Sequence, residues 1–147
     1  MSLNRVAIDN LIPRAGDMVL LDHIVSYQAD GLHARSVSHL RASNPLRHGQ
    51  KLPISAGIEF AAQAAAVHGT LTAQMGNADR PGFLALIKET RWHVDRLDNI
   101  ASELDIRVTQ LSVQPASVMY SFQVSAEENN LMTGRLAVFF AEPGPFR

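Results

Sequence analysis

A chain of 147 residues with 46% hydrophobic and 18% charged side chains has apolar material for one domain and too little charge for a disordered chain. Thirteen basic and fourteen acidic residues leave a formal net charge of −1, which disfavours a general electrostatic binder of nucleic acid. Cysteine is absent, so disulfides and thiolate metal ligands are excluded and a reducing compartment fits.

The first seventeen residues, MSLNRVAIDNLIPRAGD, hold no long apolar run followed by a small-residue cleavage site. No stretch approaches the roughly twenty apolar residues of a membrane helix. A soluble, cytoplasmic protein without a membrane partner is the expectation. Residues 18–27, MVLLDHIVSY, read as a strand, and 32–40, LHARSVSHL, as a second, with Asp30-Gly31 between them as a hairpin signal. Residues 41–53, RASNPLRHGQKLP, are irregular because Pro45, Gly49 and Pro53 interrupt any regular element.

Residues 55–75, SAGIEFAAQAAAVHGTLTAQM, form the one strong helical pattern, with Ser55 as its N-cap and Gly76-Asn77 as its stop. Alanine fills its interior and charges are few, so it is expected to be buried on most sides. Four strand-like runs follow at 83–94, 102–112, 117–126 and 131–140, with Trp92 packed and Asn129-Asn130 turning the last hairpin. The order β-β-α-β-β-β-β predicts a single α+β domain over 1–147, with one antiparallel sheet around one helix.

Chemistry concentrates at the helix start. Gly57 and Glu59 lie in the first turn, where backbone N–H groups lack intrahelical partners and the helix dipole favours negative charge. Such donors suit a carbonyl oxygen that gains charge during reaction, and glycine lets a ligand come close. A carboxyl group in apolar surroundings holds its proton more firmly, as a general acid must. Gln63, one turn on, is placed to orient Glu59. A glutamate in a first turn also stabilises a helix with no further role. His48 precedes Glu59 by eleven residues in a Pro/Gly-rich loop, where it is either a base brought to the helix start or an exposed loop residue. His68 reads as packed or interfacial, and His23, His33, His39 and His93 as strand residues. No His/Asp/Glu pair has metal spacing, so no metal and no cofactor is expected.

Residues 57–66, GIEFAAQAAA, resemble the helix start of the hotdog-fold 3-hydroxyacyl-carrier-protein dehydratases, the FabA/FabZ-like family, on Glu59, Phe60, Ala61, Ala62 and Gln63. Residues 11–27 are similar to the N-terminal region of that family. Residues 44–63, 80–86 and 131–140 look most similar to its ApeP-like branch from aryl polyene biosynthesis. The resemblance implies a hotdog fold and dehydration of a 3-hydroxyacyl thioester, carried on acyl carrier protein or coenzyme A, to a trans-2-enoyl thioester. It implies a histidine base, an acid contributed across a dimer, and a backbone donor for the carbonyl. Glu59 takes the acid role and Gly57 the donor role by position. The family spacing back from Glu59 falls on Asn44-Pro45, where no histidine stands. Either His48 serves as base through a shortened loop or Asn44 takes that position. A hotdog thioesterase and a non-catalytic subunit of a hetero-oligomeric dehydratase remain as alternatives, and the partner is a second hotdog chain, identical or not.

Overall fold

The structure, a computed structural model, describes residues 3–4, 8, 16–72 and 82–140. Among these residues, seven strands and one long helix follow in chain order: β1 (Leu3–Asn4), β2 (His23–Gln28), β3 (Gly31–Ser36), α1 (Ala56–Leu71), β4 (Gly82–Trp92), β5 (Leu104–Gln114), β6 (Ser117–Ala126) and β7 (Asn129–Phe140). The sheet is antiparallel throughout, in the order β1-β2-β3-β5-β6-β7-β4. Helix α1 packs against β3, β5 and β6, the middle of that sheet. This is the expected hotdog arrangement, with a two-residue strand added at its edge.

Period-two alternation carries the sheet face under the helix. Leu32 and Ala34 of β3, Leu104, Ile106 and Val108 of β5, and Val118, Tyr120, Phe122 and Val124 of β6 are all buried. Phe60, Ala61, Ala64, Ala65 and Val67 of α1 meet them with no exposed surface. Small alanines let the helix sit close to the sheet. Gly57 shows how close: a Cβ there would lie 3.0 Å from Met132 Sδ. Burying one side chain of Phe60's size contributes roughly 1.5–3 kcal/mol.

One polar chain crosses this core. His68 Nε2 lies 2.9 Å from the Gln28 carbonyl and Nδ1 lies 2.8 Å from the Tyr120 hydroxyl. A carbonyl only accepts, so Nε2 carries the proton and Nδ1 accepts from the Tyr120 O–H. Burial pushes the Tyr120 phenol up to about 12, which keeps it a donor. His68 is thus a packed residue that ties the end of α1 to the β2–β3 hairpin.

Several expected boundaries move. The strand expected from Met18 begins at His23, after a 3-10 turn at Gly16–Met18. The backbone before it bonds to side chains instead of to a strand: Leu20 N–H donates to Gln63 Oε1, and the Ser36 and Ser38 hydroxyls donate to the Leu20 carbonyl. The second strand stops at Ser36 and a 3-10 turn takes up Ser38–Leu40. The β2–β3 turn falls on Ala29-Asp30, because Gly31 already pairs with Gln28 and Thr109. The last hairpin turns on Glu127-Glu128, while Asn129 and Asn130 pair with Ala126 and Ser125. Trp92 is 56% exposed rather than packed. The expected helix stop at Gly76-Asn77 lies outside the described residues.

Candidate active site

The loop before α1 is held from both sides. On one side Leu97 N–H donates to the Leu52 carbonyl, Ile54 N–H to the Asp95 carbonyl, and Leu52 N–H to Asp98 Oδ1 at 2.8 Å. Arg96 pairs with Asp98, and the guanidinium together with the Leu52 N–H holds the Asp98 carboxyl well below the usual carboxylate range. On the other side Asn44 builds the turn. Its amide donates to the Ser38 carbonyl at 3.1 Å and its Oδ1 accepts the Leu46 N–H at 2.9 Å. Arg47 then donates to the Gln50 and His39 carbonyls. His48 and Lys51 exchange backbone hydrogen bonds around Gly49, whose φ of +66° suits glycine.

These restraints leave a cleft of about 180 Å³ at the start of α1, lined by Leu46, His48, Pro53, Ser55, Ala56 and Glu59. An imidazole and a carboxylate therefore share one apolar-walled space within a single chain. Glu59 is half-buried and His48 is exposed. Gln63 Nε2 reaches Glu59 Oε1 at 3.4 Å and donates to the Met18 carbonyl at 2.6 Å. Gln63 thus orients the carboxylate and fixes the segment before β2.

Two other expected residues do not open on the cleft. Asn44 is buried with both ends of its amide engaged, so it shapes the loop that presents Leu46 and His48. Gly57 N–H donates to the Ile54 carbonyl at 2.8 Å, and its missing side chain faces Met132 and Val124 rather than solvent. Ser55 lines the cleft instead of capping the helix, because its φ of −57° and ψ of −23° are already helical and leave no capping bond. A cap-type serine gives no signal in sequence that its hydroxyl makes no capping bond.

Beside the cleft a second polar cluster holds the chain before β2. Asp22 accepts the Val37 N–H at 2.6 Å and the Arg41 guanidinium at 2.7 Å. Burial raises this carboxyl, but the Val37 N–H and Arg41 outweigh it and hold it below the ordinary value. His39 is fully buried, with Nε2 on the Ile100 carbonyl, and burial lowers its basicity, so it is a structural residue. Neither Asp22 nor His39 lines the cleft.

The ApeP-like family model, described as ApeP dehydratase, matches residues 6–144. The chain belongs to this dehydratase family. Among solved structures it is similar to the dehydratase heterocomplex ApeI:P from Xenorhabdus doucetiae, with a TM-score of 0.77, 25% identity, and 92% of this chain and 91% of that chain covered. A thioesterase from Haemophilus influenzae aligns over 99% of this chain and 95% of its own at a TM-score of 0.66 and 11% identity. A mutant thioesterase from Pseudomonas aeruginosa aligns over 92% and 86% at a TM-score of 0.59 and 11% identity. At that identity the likeness to the two thioesterases shows the fold alone. No protein of curated function matches the sequence significantly. Among the described residues no helix of this ApeP-like chain is long and apolar enough to cross a membrane.

Proposed function

We propose that the cleft dehydrates 3-hydroxyacyl thioesters, delivered on an acyl carrier protein, to trans-2-enoyl thioesters in fatty acid or aryl polyene-type biosynthesis. The observation that carries this reading is the presence of His48 and Glu59 in one cleft at a helix start. His48 takes the proton from C2, which the neighbouring thioester carbonyl acidifies. The electron pair moves into the C2–C3 bond, the C3–O bond breaks, and Glu59 gives its proton to the departing oxygen. Water leaves, His48 holds one proton more and Glu59 one fewer, and exchange with solvent restores both. Family membership and the likeness to a dehydratase complex support the reaction class.

A second reading is favoured by one observation: the similar structure is a heterocomplex. In it this chain completes a partner's site and does no chemistry of its own. Glu59→Gln and His48→Asn separate the two. Gln keeps the shape of Glu but supplies no proton, and a placed acid or base contributes roughly a hundred- to ten-thousand-fold. Each substitution is expected to lower dehydration by such a factor, read as enoyl thioester formed from carrier-linked and coenzyme A-linked substrates, with the chain alone and with a second hotdog chain. Full activity of the Glu59→Gln complex would establish the non-catalytic role.

A further inference from the structure

The donors expected at the helix start are already committed. Ala56, Gly57 and Ile58 give their N–H groups to the carbonyls of Pro53, Ile54 and Ser55 at 3.0, 2.8 and 3.1 Å. A substrate carbonyl drawn to this helix end meets no spare N–H among the three, although the helix dipole still favours charge there. The cleft offers a hydroxyl instead. Ser55 occupies the N-cap position, where a serine ordinarily bonds its oxygen to an N–H two or three residues on. Its helical backbone angles leave no such bond. The residue is exposed and lines the cleft with His48 and with Glu59, one helical turn further on.

We propose that the Ser55 hydroxyl, rather than the Gly57 N–H, holds the thioester carbonyl of the substrate. The proposal rests on the dehydratase reading of the cleft. As His48 removes the C2 proton, the electron pair forms a C1–C2 double bond and the carbonyl pair moves onto oxygen. Ser55 donates a hydrogen bond to that oxygen and keeps its own proton. The pair returns when the C3–O bond breaks, so the proton balance is unchanged. Leu46, Pro53 and Ala56 line the same space, and an apolar wall strengthens a single donor.

The test compares Ser55→Ala, Ser55→Thr and Glu59→Gln in the full chain, in the assembly in which it purifies. Turnover of a 3-hydroxyacyl thioester is read beside the isotope-edited infrared C=O stretch of a bound, unreactive saturated acyl thioester. Ser55→Ala is expected to lower kcat about a hundredfold with little change in KM, as for loss of one oxyanion donor. It should also move the carbonyl stretch toward its value in solution and leave the melting temperature unchanged. Ser55→Thr, which keeps the hydroxyl, should restore both readouts. An unmoved stretch with full turnover in Ser55→Ala overturns the proposal, while loss in Glu59→Gln leaves the dehydratase reading standing. A lower melting temperature with an unmoved stretch shows the hydroxyl serving the fold and overturns it equally. Full activity of Glu59→Gln removes the reading and the proposal together.

Discussion

Gln63 is a polar side chain only 3% exposed on a helix of alanines, and both ends of its amide are in use. Oε1 takes the Leu20 N–H at 2.9 Å, while Nε2 serves the Met18 carbonyl and Glu59. Replacing it with leucine keeps the volume and removes every bond. Leu20 N–H, fixed beneath the fold, would then be buried without a partner, at a cost of about 1–3 kcal/mol for each such group. Gln63→Leu should therefore lower unfolding free energy by about 2–4 kcal/mol in denaturant titration, well above the ~0.5 kcal/mol of an ordinary surface change. Because the same amide touches Glu59, Gln63→Leu should also lower kcat for dehydration. A stability loss with unchanged kcat would reduce Gln63 to a purely structural strut.

The strained turn between β6 and β7 belongs to the element scale. Glu127 and Glu128 carry φ of 49° and 69°, the left-handed conformation that costs a non-glycine residue roughly 1–2 kcal/mol. Asn-Gly suits such a two-residue hairpin, so Glu127→Asn with Glu128→Gly should stabilise the chain by about 1 kcal/mol, read as a higher melting temperature. The same hairpin shows what the sequence could carry. Alternation over Leu104–Gln110 and Ser117–Val124 marks strands because burial repeats every second residue there. Side-chain preference favours the asparagines for the turn itself, whereas pairing of Ala126 with Asn129 puts it on Glu127-Glu128. The run from Val19 to Leu21 misleads in another way. All three side chains are buried in succession, since Gln63, Ser36 and Ser38 hold the backbone from distant parts of the chain. At the cleft, Glu59 and His48 were legible as residue types near a helix start. The engagement of Asn44 and Gly57 and the uncapped hydroxyl of Ser55 were not, because backbone angles and the hydrogen bonds of the folded loop decide them. The Asp98 anchor adds a pH dependence to this loop. With its folded value depressed, Asp98 contributes stability that is complete above the ordinary 3.8 and fades as pH falls below it. Asp98→Asn should lower the melting temperature at pH 7, and the difference from the parent should shrink in acid.

The whole molecule ends on an unfinished edge. Among the described residues β4 pairs only with β7, so the other side of this strand faces no neighbouring strand. Long open edges invite pairing with another chain. Leu86 and Trp92 on this strand are 42% and 56% exposed, apolar surface that a paired chain would cover. The strand is also interrupted, with register shifts between Leu84 and Leu86 and between Lys88 and Arg91, and Glu89 sits in the second at a φ of 56°. Such bulges twist an edge and confine pairing to short stretches, a device that limits indiscriminate stacking while leaving room for one matched strand. The topology explains why this edge was invisible in sequence: β4 follows the helix in the chain but lies beside the last strand in the sheet. We expect the chain to associate through β4 with a second hotdog chain, because strand pairing is what would satisfy this open edge. Leu86→Lys combined with Trp92→Lys should then weaken association at least tenfold in sedimentation velocity while far-ultraviolet circular dichroism stays unchanged, because neither side chain belongs to the core. If the double variant assembles as tightly as the parent, the partner docks elsewhere and the open edge of β4 is protected by its bulges alone.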